Sequence, residues 1–130
     1  MQLGYTILYV PDVPATLKFY ESAFGLTTRF LHESGNYGEL ETGSTALAFS
    51  AHRLMQQLGK NPQAASPTAP CFEIALCTPD VAAALERAVA AGATPMRPLE
   101  AMMNGKPFNK VIQEVPKDHH GERSFQASAK

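Results

Sequence analysis

The chain has 130 residues, enough for one domain with a sizeable core, and its 45% hydrophobic and 18% charged residues are those of an ordinary globular protein. Acidic and basic side chains are interspersed and sum to a net charge of -1, which leaves no basic stripe for nucleic acid and no polybasic segment for a membrane surface. No charged and then apolar leader follows Met1, and no apolar run reaches the length of a membrane span, so a cytoplasmic location is the expectation.

Alternation over Leu3 to Val10 predicts a strand with Thr6, Leu8 and Val10 on one face and Leu3, Tyr5, Ile7 and Tyr9 on the other. Both faces are largely apolar, so the second one is expected to border a covered or enclosed space rather than bulk water. Asp12 is placed to cap a helix with Pro14 in its first turn. Val13, Leu17, Tyr20 and Phe24 recur at helical spacing as a core-facing stripe, and Gly25 is a left-handed stop. Strands are then predicted over Thr27 to His32, Tyr37 to Glu41 and Thr45 to Ser50, separated by the turn clusters Ser34-Gly35-Asn36 and Thr42-Gly43-Ser44. A short helix over His52 to Leu58 ends at Gly59, and Asn61 to Pro70, rich in Pro, Ala and Ser, reads as a connecting loop.

The second half repeats the plan at a constant offset of 68 residues: Leu8, Pro11, Asp12 and Val13 return as Leu76, Pro79, Asp80 and Val81. The strand Cys71 to Cys77 turns Phe72, Ile74 and Leu76 toward the helix and Cys71, Glu73, Ala75 and Cys77 away from it. The helix from Val81 carries Leu85, Ala88 and Val89 on one side and closes at Gly92. Thr94 to Ala101 is a strand that Pro95 and Pro98 confine to an edge or shorten. Asn104-Gly105 suits a two-residue turn, and Phe108 to Val115 and Glu122 to Ala127 complete the strands.

Cys71 and Cys77 lie too far apart on one strand to bridge, roughly 20 Å against a disulfide reach of about 4.4 to 6.8 Å between Cα atoms. They are expected as small core residues in a reducing compartment. His119 and His120 are adjacent in a predicted turn and are read as solvated. His32, at a strand end, is expected to be exposed, and His52 either lines the rim of a pocket or begins the linker helix.

The signature Val10-Pro11-Asp12-Val13 through Phe19-Tyr20 to Phe24-Gly25-Leu26, its echo at Thr78-Pro79-Asp80-Val81, and the helix end Ala91-Gly92-Ala93 resemble the vicinal oxygen chelate superfamily of glyoxalases, bleomycin resistance proteins, fosfomycin resistance transferases and extradiol dioxygenases. The likeness runs from Leu3 to about Pro98 and weakens beyond it. It implies an α+β fold of two tandem βαβββ modules, about 1–60 and 70–130 of a single domain, each curving a mixed sheet into half a barrel with its helix outside, within a homodimer.

The resemblance also implies where a metal would sit, with one ligand from each of the first, fourth, fifth and eighth strands. These fall on Tyr5, Ala48, Glu73 and Phe125, or Gln126 if the last register slips by one. Alanine and phenylalanine offer no lone pair, a protonated phenol is a poor ligand, and one carboxylate cannot hold a catalytic metal. No metal or other cofactor is therefore expected. Glu73 is expected to face the cavity and to find a partner in Arg29, Arg123 or the Tyr5 hydroxyl, or in a ligand.

Two readings follow. In one, a metal-free protein sequesters an apolar or aromatic small molecule, as the bleomycin resistance proteins are expected to, using Tyr5, Ile7, Tyr9, Ala48, His52, Glu73, Ala75, Cys77 and Phe125. In the other, a glyoxalase-like lyase or isomerase uses Glu73 as general base or metal ligand.

Overall fold

Asp12 turns the chain from strand to helix by local chemistry alone. In the computed structural model its backbone is extended, and its carboxylate accepts a hydrogen bond from the Ala15 N–H at 3.0 Å, so helix α1 (Val13–Phe24) opens with one of its orphan donors satisfied. Gly25 ends the helix at φ 68°, and its N–H closes on the Glu21 carbonyl at 3.0 Å. Asp80 repeats the device 68 residues later, accepting from Ala83 N–H at 3.0 Å to open helix α3 (Val81–Ala90).

The structure describes residues 1–66, 68–69 and 71–95 in full, with the backbone of two later strands, Lys110–Gln113 and Arg123–Ala127. The chain forms two compact units, Met1–Ala64 and Ala65–Lys130. The fold is α+β: each unit runs strand, helix, three strands, and carries one open four-stranded mixed sheet.

In the first unit, β1 (Tyr5–Val10), β2 (Thr27–Leu31), β3 (Tyr37–Glu41) and β4 (Ala46–Ala51) are ordered β1-β4-β3-β2, with β1 and β4 parallel and the other pairs antiparallel. Helix α1 covers one face of this sheet. Val13, Leu17 and Tyr20 of the expected stripe are buried there, with Leu8, Val10, Leu40, Leu47 and Phe49, and the Tyr20 and Phe49 rings lie 5.1 Å apart. The helix comes closest at Gly38. A Cβ there would stand 2.7 Å from Leu17 Cδ1, 3.1 Å from Val13 Cγ1 and 3.2 Å from the Phe30 carbonyl oxygen. A short helix α2 (His52–Gln57) follows β4 without a break, and Gly59 turns the chain at φ 82°.

The second unit holds β5 (Ile74–Cys77), α3, β6 (Ala93–Pro95), β7 (Lys110–Gln113) and β8 (Arg123–Ala127). Its sheet order, β5-β7-β8-β6, departs from that of the first unit. Only residues 32–36 join β2 to β3, which forces a hairpin; residues 96–109 lie between β6 and β7, so no tight turn imposes that pairing. Instead β6 pairs in parallel with β8, and β5 pairs antiparallel with β7. The three-residue β6 lies at the sheet edge, as Pro95 requires of it.

Several expectations are corrected. The fifth strand starts at Ile74 rather than Cys71, and both cysteines are free and exposed, not core. Along 71–77 the exposed residues Cys71, Glu73, Ala75 and Cys77 alternate with the half-buried Phe72, Ile74 and Leu76, and the cysteines fall in the uncovered set. In α3 the buried stripe is Val81 and Ala88 with Leu85 half-buried, while Val89, one step further round the helix, is exposed. Asn104-Gly105, His119, His120 and the outer parts of the last predicted strands lie outside the described residues.

Candidate functional site

Strand periodicity leaves one face of the first sheet without a helix, and its register assembles that face row by row. Tyr9, Ser50 and Tyr37 are successive partners across β1, β4 and β3, and Ile7, Ala48 and Glu39 form the next row. The central strand supplies only Ala46, Ala48 and Ser50 to this face, and all three are buried, Ala48 completely. The flanking strand supplies large side chains: Tyr5 keeps 53% of its surface exposed and Ile7 46%. Small residues between large ones shape a shallow trough along β4, whose floor residues are themselves closed to solvent. The second face of β1 is therefore half open, where the sequence had suggested a covered one.

The far wall holds a polar network. At β2 a bulge inserts Arg29 between Thr28, opposite Leu40, and Phe30, opposite Glu39. The Arg29 guanidinium reaches Glu39 Oε2 through Nε at 2.9 Å and Nη2 at 2.8 Å, and the Tyr37 hydroxyl donates to Oε1 at 2.8 Å. Burial pushes the Glu39 carboxyl up, but the hydrogen bonds from Arg29 and Tyr37 and the Arg29 charge outweigh it and hold the carboxyl below its ordinary value. Burial, then the bond to Glu39 and its charge, push the Tyr37 phenol up to about 12. The hydrogen bond to Glu39 likewise raises Arg29. With both oxygens engaged and its charge paired with Arg29, Glu39 serves as an anchor for the wall. At the near end, Lys60 Nζ donates to Tyr9 Oη at 3.0 Å and lies 5.3 Å from that ring's centre.

Of the residues singled out from sequence, Tyr5, Ile7, Tyr9 and Ala48 come together in this trough. His52 begins α2, and its Nε2 is buried without a hydrogen-bond partner among the described residues. In the other unit, Glu73, just ahead of β5, and Ala75 and Cys77 within it are each exposed. Phe125 lies in β8, its backbone opposite Pro95 and Gln113; its side chain, like those of Arg123 and Gln126, lies outside the described residues. Arg29 is engaged by Glu39 rather than Glu73, and Glu73 makes no ion pair among the described residues. Sequence reading missed the Arg29–Glu39–Tyr37 network and Lys60. Tyr37 and Glu39 share strand parity and were findable; the Arg29 bulge carries no such signal.

The donor set does not fit the metal that the superfamily's enzymes hold. Of the four ligand positions, Ala48 has no donor and Tyr5 offers a phenol, while Glu73 offers the one carboxylate. Among the described residues no three His, Cys, Asp or Glu side chains gather into a metal cluster.

The model of the glyoxalase/bleomycin resistance protein/dioxygenase superfamily matches residues 2–123. Comparison with curated proteins gives no match. Among solved structures, a glyoxalase/bleomycin resistance protein/dioxygenase from Nocardioides is 20% identical with a TM-score of 0.61, covering 98% of this chain and 83% of its own. A glyoxalase-related enzyme from Fulvimarina pelagi has the same identity and score, covering 100% and 88%. A bleomycin resistance determinant encoded on the transposon Tn5 is 19% identical with a TM-score of 0.52, covering 100% and 99%. At these identities the likeness is one of fold, whereas the match to the family model spans nearly the whole sequence. The chain belongs to the glyoxalase/bleomycin resistance protein/dioxygenase superfamily.

Proposed function

We propose that this chain is a metal-free binding protein of its superfamily, taking up an apolar or aromatic small molecule rather than transforming it. The trough of the first unit supports the reading: its row along β4 is built of the small residues Ala46, Ala48 and Ser50, and the half-exposed Tyr5 and Ile7, with Tyr9, offer apolar surface beside it. Uptake by such a surface needs enclosure and a few oriented polar groups, and no activated nucleophile. Glu73, Ala75 and Cys77 present a second exposed strand face of similar character. The chain acts as a single two-module domain and as a homodimer.

One observation favours the enzyme reading, in which Glu73 is a general base: its carboxylate is exposed and makes no ion pair among the described residues. Metal analysis of protein purified without chelator separates the two. The binding reading expects far less than one metal per chain; Zn, Ni, Mn or Fe near one per chain overturns it. The trough itself is tested with phenylnaphthylamine, an uncharged apolar dye. Ala48→Phe, which sets a ring on the floor, is expected to weaken its binding by about tenfold or more, with thermal melts confirming that the variant folds.

A further inference from the structure

The charges of the trough are unevenly placed. Arg29 and Glu39 cancel each other midway, and Glu41 lies at the Tyr5 end, two residues beyond Glu39 on the same strand. At the Tyr9 end stands Lys60, whose ammonium has a neutral partner, the Tyr9 hydroxyl, and no carboxylate among the described residues. An exposed lysine ordinarily extends its ammonium into water. Here the backbone is fixed, with Lys60 N–H bonded to the Met55 carbonyl at 2.9 Å after the turn at Gly59, and the side chain is laid over Tyr9.

Ser50 is the second, independent sign. Register places it between Tyr9 and Tyr37 on the trough floor; it is 4% exposed, and its hydroxyl makes no hydrogen bond among the described residues. No group among the described residues has taken this hydroxyl, so it is free to donate to a ligand. Because the Tyr9 oxygen accepts from Lys60, its own O–H remains to be donated, so this end of the trough offers three donors and carries a positive charge.

The geometry points to an anion subsite formed by Lys60, Tyr9 and Ser50, and to a ligand with an apolar or aromatic body and a carboxylate or sulfonate at one end. The body lies along the half-exposed Tyr5 and Ile7, and the acid group meets Lys60. This deepens the binding reading above and rests on it. A cationic ligand is disfavoured at this end by the same charge.

The test compares two dyes that share an aromatic body, anilinonaphthalene sulfonate and uncharged phenylnaphthylamine, by fluorescence titration of the full chain. The sulfonate is expected to bind about tenfold more tightly than the neutral dye, as a charge-assisted hydrogen bond allows. Lys60→Met should remove that advantage and leave the neutral dye unchanged; Ser50→Ala should act in the same direction, and added salt should mimic Lys60→Met. If Lys60→Met changes neither dye, or weakens both alike, the subsite is overturned while the trough stands on its neutral-dye binding. Failure of the neutral dye to bind wild-type protein overturns the binding reading and the subsite with it.

Discussion

Both carboxylate oxygens of Glu39 are occupied, Oε2 by Arg29 and Oε1 by Tyr37, and the pH dependence of the wall follows from that. The Glu39 carboxyl is held below its ordinary value, so its share of stability is present above the ordinary glutamate range and is lost as pH falls through the lowered value. Tyr37 runs the other way. Its folded-state pKa, about 12, lies above the ordinary 10.0, so its contribution is complete below pH 10.0 and disappears as pH rises toward 12. Glu39→Gln should bring the Tyr37 phenol down from about 12 without returning it to 10.0, because burial, the largest cause, remains while the acceptor's charge is gone. Tyrosinate absorbance, read as the difference between each protein and its Tyr37→Phe derivative, checks this; an unmoved titration after Glu39→Gln contradicts the network. Strand parity already put Tyr37 and Glu39 on one face. What sequence could not show was the extra residue at Arg29, because a bulge adds one position without altering the apolar pattern on either side of it.

Elements repeat where their ends are written in local chemistry. The Asp12 and Asp80 caps, the Gly25 and Gly92 ends and the alternation of the first strand were all legible, and each works within a few residues. The sheet order of the second unit was not, because it depends on connection length and long-range pairing rather than on any local residue. Burial was legible only in part: Cys71 and Cys77 were expected in the core, and both are exposed. Helix-to-sheet distance was equally hidden, and Gly38 sets it. A methyl group at Gly38 meets Val13, whose branched side chain is stiff, and the Phe30 carbonyl, which is backbone, so the 2.7 Å approach to Leu17 cannot be relieved by moving Leu17 alone. Gly38→Ala should therefore cost about 1–3 kcal/mol as overpacking. A urea titration giving an unchanged midpoint would show that α1 lifts from the sheet without penalty.

At the scale of the whole chain, two compact units raise the question of whether they fold as one. All four tyrosines, Tyr5, Tyr9, Tyr20 and Tyr37, lie in Met1–Ala64 and the chain has no tryptophan, so tyrosine absorbance reports on the first unit alone while backbone circular dichroism reports on both. A single cooperative domain predicts coincident transitions by the two signals. Ligand sharpens the comparison. Phenylnaphthylamine at a hundredfold excess over its Kd stabilises whatever unit it holds by about 2.7 kcal/mol. If the units unfold together, that increment moves the entire dichroism curve, although the trough residues belong to the first unit. If they unfold separately, the tyrosine curve moves and a second dichroism transition stays in place. The proposed single domain predicts one transition that shifts whole, binding energy gained on one sheet passing to the stability of the other; a stationary second transition contradicts it and confines the proposed binding to the first unit.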